Sequence, residues 1–163
     1  MTWLILIVRL GRAAPRHRRR VYAELSDGGA VRVSDGVWGI PDTGFHRAAV
    51  NKAERSAAAA GGDLLILATT PENASSHAVL EAKLAERLKA EAAAIHQRCD
   101  AFAVGRPGAP AMLEHEDRAQ AFMKLQHDAH RLSDLDVIGL EAVVSATTRV
   151  AQTVRLRGTA EAA

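Results

Sequence analysis

The sequence predicts an α+β fold, in which a small four-stranded sheet with two helices is followed by a helical segment. Three observations support this prediction. Apolar runs of strand length recur through residues 1–70 and are bounded mostly by glycines. Longer segments with apolar residues at helical spacing fill residues 71–156. Aromatic residues make up only 4% of the chain and alanine is abundant, so the composition favours helices around an aliphatic core.

The predicted elements of the first part are bounded by capping and turn residues. Pro15 suits the first position of a helix, since its missing N–H has no partner there. Ser34-Asp35-Gly36 is typical of a tight hairpin turn with glycine at positive φ, and Thr43 is a predicted helix N-cap. The elements are, in order, a strand over residues 3–8, a helix over 15–27, strands over 30–33 and 37–40, a helix over 44–60 and a strand over 63–68.

This order is the split βαββαβ arrangement of ferredoxin-like folds. Residues 1–70 are therefore predicted to form a ferredoxin-like α/β sandwich. Residues 71–156 are predicted to form a helical C-terminal extension, a hairpin or bundle, and 157–163 a flexible tail. The first helix of this extension is expected to start at Thr70-Pro71-Glu72 or at Ser75-Ser76 and to run to about residue 102. The other two are expected over about 112–132 and 138–156, after a linker at 103–110 that is rich in glycine and proline.

Charge is distributed unevenly along the chain. The formal net charge is +2, but residues 1–70 carry ten basic and six acidic side chains, a net charge of +4. Nucleic acid, phosphate or another oxyanion is therefore a plausible partner of the first part.

A single cysteine, Cys99, excludes a disulfide within the chain and suits a reducing compartment. It falls on an apolar helix stripe, which predicts a core position. The apolar run at residues 3–8 is too short to span a membrane and lacks the features of a signal peptide. We therefore expect a cytoplasmic protein with no membrane partner.

The most conspicuous local feature is a run of arginines. Six guanidinium groups fall within twelve positions, at Arg9, Arg12, Arg16, Arg18, Arg19 and Arg20. Arginine forks match phosphate oxygens, so the run predicts contact with a DNA backbone or an oxyanion. The alternative is a solvated helix face, with some arginines paired to Glu24 or Asp27. We predict Arg12, Arg16, Arg19 and Arg20 as the binding residues, and expect Arg18 to face the sheet.

No pattern of residues supports catalysis, so the chain is predicted not to be an enzyme and to need no cofactor. His127 and His130 share a helix face, but a pair at this spacing is a weak metal signal without a third ligand. The sequence has no P-loop, no GxGxxG and no nucleophile elbow of the GxSxG type. No metal site is therefore predicted.

Several short segments carry a resemblance to a known family. They are Thr2 to Val8, Arg20-Val21-Tyr22-Ala23-Glu24-Leu25, the hairpin Ser34-Asp35-Gly36-Val37-Trp38-Gly39-Ile40-Pro41, and the stretch from His130 to Asp134. Together they resemble the N-terminal region of the ChrB family of chromate-resistance regulatory proteins. The strand and hairpin pattern also looks like the ferredoxin-like middle domain of PaaX-type repressors.

The resemblance implies a chromate-resistance-type transcriptional regulator that binds DNA and is released by chromate or a related oxyanion. It also implies a homodimer formed through the sheet. A second hypothesis is an accessory module that does not bind DNA but binds an oxyanion or a protein partner. A third is an enzyme acting on chromate through a metal held by His127 and His130.

Overall fold

The computed structural model describes residues 1–11, 15–104 and 111–160. Its elements are β1 (Trp3–Arg9), α1 (Pro15–Asp27), β2 (Val31–Ser34), β3 (Val37–Pro41), α2 (Gly44–Ala59), β4 (Asp63–Thr69), α3 (Ala74–Val104), α4 (Ala111–Leu135) and α5 (Glu141–Ala160). The α+β class and the predicted order of elements are confirmed. The chain divides into two units, Met1–Ala85 and Glu86–Ala163, so the first part of α3 groups with the sheet.

The first unit is built on a four-stranded antiparallel sheet with the strand order β2-β3-β1-β4. β1 lies in the middle and pairs with both β3 and β4, which places Ile5 between Gly39 and Leu67. This order, with one helix after β1 and one after β3, is the ferredoxin-like arrangement that the sequence predicts. β4 and β2 are the two edges of the sheet.

Both helices that connect the strands pack on one face of the sheet. The core there is a single cluster drawn from the sheet and from α1 and α2, and its members include Leu4, Leu6, Val21, Leu25, Ile40, Val50, Ala53 and Leu64. α1 and α2 approach closely where α1 ends, because a Cβ at Gly28 would lie 2.1 Å from the Cβ of Ala49. A side chain at position 28 would therefore separate the two helices.

The turn and cap predicted from the sequence are present. Gly36 has a φ of +71° in the β2–β3 turn, which favours glycine. Its carbonyl accepts a hydrogen bond of 2.8 Å from the N–H of Val8. Thr43 is the N-cap of α2, and its Oγ1 accepts a hydrogen bond from the N–H of His46.

The second face of the sheet is only partly covered. The first part of α3 lies over β3, where a Cβ at Gly39 would come within 3.2 Å of Leu80. Trp3 on this face is fully buried, whereas Leu65 and Leu67 of β4 are 42% and 46% exposed. The covered region therefore stops short of the β4 edge.

The second unit contains the rest of α3 together with α4 and α5. Its core is aliphatic, as predicted, and includes Leu88, Ile95, Cys99, Leu125, Leu132, Leu135, Val143, Ala146 and Val150. The buried stripe of α5 runs through Val143, Ala146 and Val150, and the neighbouring Val144 is 59% exposed.

The ends of the predicted helical elements differ slightly from those observed. α5 continues to Ala160, beyond the predicted end at residue 156. Of the predicted 103–110 linker, residues 105–110 lie outside the described residues, as do residues 161–163 of the predicted tail.

The α4–α5 connection is organised by Asp136. Its Oδ1 accepts hydrogen bonds from the N–H groups of Ile138 and Gly139, and its Oδ2 accepts one of 2.7 Å from the N–H of Leu140. Gly139 has a φ of +70°. Three backbone donors just before α5 are thus satisfied by one carboxylate.

Candidate nucleic-acid interface

The predicted arginine run begins in the β1–α1 connection and continues along α1. Val21, Glu24 and Leu25 are the buried residues of α1, and they fix which side faces the core. Arg16, Arg18 and Arg19 are all exposed. The expectation that Arg18 faces the sheet is therefore wrong, although Arg18 shares a helical stripe with Val21 and Leu25. Arg18 lies a turn before the first buried residue, and its long side chain reaches solvent.

Of the four predicted binding residues, one lies outside the described residues and another is paired with a carboxylate. Arg12 lies outside the described residues. Arg20 is on the same helix as Arg16 and Arg19, but its Nε donates to Oε1 of Glu24 at 3.2 Å. Glu24 is 8% exposed, so Arg20 already compensates a largely buried carboxylate, as the alternative interpretation of a paired helix face predicts.

Other arginines of the first unit are paired with carboxylates. Both Nε and Nη2 of Arg9 donate to Asp63 at 2.6 Å, which makes a bidentate pair at the end of β1. Arg32 pairs with Asp35 in the β2–β3 turn at 2.6 Å. Arg47 pairs with Asp42 at the start of α2, with Nη2 and Oδ2 separated by 2.8 Å.

The exposed arginines of α1 differ from these. Among the residues that the structure describes, Arg16, Arg18 and Arg19 make no ion pair with a carboxylate. Arg16 instead donates through Nε to Nε2 of His17 at 3.3 Å. The helix has no acidic residue in its first turn. Three guanidinium groups on one exposed helix are thus available to an external anion.

α2 adds basic side chains that the sequence interpretation missed. β1 and β3 are antiparallel, and each helix follows its own strand, so α1 and α2 run in opposite directions against each other. The basic start of α1 therefore lies beside the second half of α2, where Lys52 and Arg55 are exposed. Neither makes an ion pair within the described residues, although Glu54 between them reduces the local charge.

We call these five side chains the basic helix face: Arg16, Arg18 and Arg19 of α1 with Lys52 and Arg55 of α2. Lys52 and Arg55 could have been identified from the sequence pattern of α2, because they fall between its buried positions. These positions are Val50, Ala53 and Ala57. Sequence alone does not show that two helices separated by a hairpin lie side by side.

The helical unit contains a second polar site, between α3 and α5. Its cavity has a volume of about 500 Å³ and is lined by His96, Asp100, Ser145, Thr148, Arg149 and Gln152. Nη2 of Arg149 lies 3.1 Å from Oδ1 of Asp100, and Oγ of Ser145 lies 3.4 Å from Nε2 of His96. We call this the α3–α5 groove. Its lining is rich in hydrogen-bond donors, and an oxyanion can accept hydrogen bonds from them.

The remaining sequence candidates lie elsewhere. Cys99 is buried, as predicted, and His127 and His130 are both exposed on α4. Among the residues that the structure describes, no three or more His, Cys, Asp or Glu side chains are grouped so that they could hold a metal ion.

Within the described part of the chain, no helix has the length and apolarity needed to span a bilayer. No curated protein matches the chain. The family model described as "Protein ChrB, N-terminal" matches residues 18–161, which include most of α1 and all of the later elements. The ferredoxin-like sheet, the helical unit and this match agree, and the chain belongs to the ChrB N-terminal family and is related to chromate resistance.

Proposed function

We propose that this protein is a DNA-binding regulator of chromate resistance and that the basic helix face contacts the DNA backbone. The observation that supports this is the contrast in pairing. Arg9, Arg32 and Arg47 have carboxylate partners, whereas Arg16, Arg18 and Arg19 have none among the described residues. Exposed arginines on one helix without carboxylate partners among the described residues are what a phosphate backbone would require.

The position of these arginines supports an anionic partner. They lie in the first turns of α1, where the helix dipole is positive and a cation costs about 0.3–1 kcal/mol. Three cations at such a site, with no carboxylate partner among the described residues, are unfavourable for folding. A phosphate placed there would be attracted by both the guanidinium groups and the dipole.

The contacts we propose are with phosphates, and their affinity should therefore fall steeply with salt. Chromate or a related oxyanion would compete for the same kind of contact or change the protein's affinity for DNA. In this proposal the protein acts in the cytoplasm as a binding protein and not as an enzyme.

The test is an electrophoretic mobility shift with duplex DNA from upstream of the protein's own gene and with an unrelated duplex. It is run at two salt concentrations, with and without chromate. We expect specific retention that chromate reduces. Equal retention of both duplexes would contradict the regulatory proposal, and no retention at low salt would contradict DNA binding.

Two double variants that remove the same charge test whether DNA contacts the basic helix face. Arg18→Gln/Arg19→Gln removes two charges from the basic helix face, whereas Lys83→Gln/Lys89→Gln removes two exposed charges from α3. We expect the first variant to bind DNA at least tenfold more weakly and to lower the slope of log affinity against log salt by about 2. The second should bind like the wild type. Equal losses in the two variants would place the contact elsewhere.

The α3–α5 groove favours a second candidate function, an accessory module that binds an oxyanion. Arg149, His96 and two hydroxyl groups line one cavity, and a tetrahedral oxyanion accepts hydrogen bonds from all of these groups. Asp100 competes for Arg149, so binding would require the anion to displace this carboxylate. Oxyanion binding in the groove is tested by titration calorimetry with chromate and with sulfate, on the wild type and on Arg149→Gln. Binding that Arg149→Gln leaves unchanged would exclude the groove.

A further inference from the structure

The two edges of the sheet differ in how they are protected. β2 has only four residues, carries Arg32, and has a register irregularity between Arg32 and Ser34. Short length, a basic side chain and a bulge are the devices that prevent edge-to-edge pairing. β4 has seven residues, DLLILAT, with no proline or lysine, and it pairs with β1 without a register shift. The β4 edge therefore lacks the features that protect β2.

The side chains of β4 are also unusually exposed for an apolar strand. Leu65 and Leu67 are 42% and 46% exposed on the face opposite to α1 and α2. They are not isolated, because they lie directly across from Ile7 and Ile5 of β1, which are half-buried. An apolar surface thus reaches the free edge of the sheet.

The charge at this edge is already neutralised. Asp63 is the only charged residue of β4, and Arg9 of the neighbouring strand holds it in a bidentate pair. A second strand approaching β4 would not meet an uncompensated charge.

We propose that the β4 edge is the interface between two copies of this chain, which pair antiparallel about Ile66. In this register Leu65 of each copy faces Leu67 of the other, and Ile66 faces Ile66. The exposed leucines thus cover one another, and the unpaired backbone groups of both edges are satisfied. The occupant is a second copy because β4 is self-complementary in this register in both size and charge.

The dimer would have one continuous eight-stranded sheet. A two-fold axis perpendicular to the sheet keeps the same face of both copies on one side, so both α1 helices lie on that side. α2 packs on β4 and α1 packs on α2, which gives the order α1, α2, α2, α1 across the dimer. At about 10 Å per helix spacing, the two α1 helices would be roughly 30 Å apart.

That separation is close to one turn of duplex DNA, about 34–36 Å. The match between the α1 spacing and the DNA turn matters only if the proposed DNA binding is correct, whereas the proposed dimer does not depend on DNA binding. The two are separable, since the oligomeric state is measured without DNA.

The experiment is size-exclusion chromatography with light scattering on the full chain over a concentration series. Two seven-residue edges bury little area, so we expect a dimer that dissociates on dilution. The observed mass should rise from 17.4 kDa toward twice that value. A mass of one chain at every concentration up to about 100 µM would overturn the proposal, since even small interfaces form in this range.

Matched variants locate the interface. Leu65→Lys/Leu67→Lys should be monomeric at all concentrations, while Met123→Lys/Val144→Lys, at exposed apolar positions of the helical unit, should dimerise like the wild type. Circular dichroism confirms that each is folded, and Leu65→Thr/Leu67→Thr replaces the lysine variant if it is not. A folded β4 variant that still dimerises, or a control that does not, would contradict the β4 interface.

Disulfide cross-linking tests the register in a Cys99→Ala background. Residues opposite each other in an antiparallel pair have Cα atoms about 4.5–5.5 Å apart, within the range of a disulfide. Leu65→Cys mixed with Leu67→Cys should cross-link faster than either variant alone. Equal rates in the three samples would overturn the register centred on Ile66.

Discussion

Arg20 donates a hydrogen bond to Glu24 across one turn of α1, with 3.2 Å between Nε and Oε1. The two side chains differ greatly in environment, since Arg20 is 71% exposed and Glu24 is 8% exposed. The other carboxylate oxygen of Glu24, Oε2, is buried without a hydrogen-bond partner among the described residues. Arg20 therefore compensates a carboxylate whose charge would be costly to leave without a partner.

This pair distinguishes Arg20 from Arg19 in a stability measurement. We expect Arg20→Gln to lower the free energy of unfolding by about 0.5–1 kcal/mol, the upper part of the range for a solvent-exposed partner. Arg19→Gln removes the same charge from the same helix without breaking an ion pair of the described residues. Because a cation near the N-terminus of α1 opposes the helix dipole, this variant should be at least as stable as the wild type. Urea denaturation of both variants measures the difference. Identical midpoints would show that Glu24 does not depend on Arg20.

The contact between α1 and α2 leads to a prediction at Gly28. A Cβ there would lie 2.1 Å from Ala49 Cβ and 3.3 Å from the carbonyl oxygen of Glu24, so the helices must separate to accept it. We expect Gly28→Ala to destabilise the protein by about 1–3 kcal/mol. Gly44 is the matched control because a Cβ there meets no atom within 4 Å. A Gly28→Ala variant as stable as Gly44→Ala in thermal unfolding would disprove the close approach.

The α4–α5 connection depends on one carboxylate. Asp136→Ala removes the acceptor for the N–H groups of Ile138, Gly139 and Leu140. We expect a loss of about 1–2 kcal/mol, comparable to the loss of a strong helix cap. Asp134 is exposed in the last turn of α4, two residues before Asp136, and Asp134→Ala should change stability little. Denaturant unfolding of the two variants checks this, and equal losses would mean that the Asp136 hydrogen bonds contribute nothing.

The sequence was informative where structure is determined locally. Gly36 and Thr43 were predictable because a turn at positive φ and an N-cap each depend on a few adjacent residues. The exposure of Arg18 was not predictable. Helical spacing fixes the direction of a side chain, but it does not show how far along α1 the contact with the sheet extends. The pairing of Arg9 with Asp63 joins residues 54 positions apart, and it depends on the β1–β4 register.

The same limit applies to the candidate sites. The arginine run is visible in the sequence, but which arginines are paired depends on the fold. The contribution of Lys52 and Arg55 depends on two helices packing side by side, and the α3–α5 groove joins residues from separate helices. Each of these requires tertiary contacts that no local pattern contains.

The Arg9–Asp63 pair gives a prediction for pH. The hydrogen bonds from Arg9 hold the pKa of Asp63 below its ordinary value, with the guanidinium charge acting in the same direction and partial desolvation opposing it. Because this pKa is lower in the folded state, the pair contributes stability above the unfolded pKa. That contribution is lost as the pH falls through the folded pKa, which lies below the ordinary pKa of an aspartate.

Carboxyl-carbon NMR titration measures this directly. In the wild type we expect Asp63 to titrate at a lower pH than an aspartate of an unfolded chain. Arg9→Gln should raise the pKa of Asp63 toward its ordinary value. Because Asp63 belongs to β4, the same variant should also weaken the proposed dimer by leaving this carboxylate without its Arg9 partner at the edge. An Asp63 pKa that does not respond to Arg9→Gln would refute the pairing on which both expectations depend.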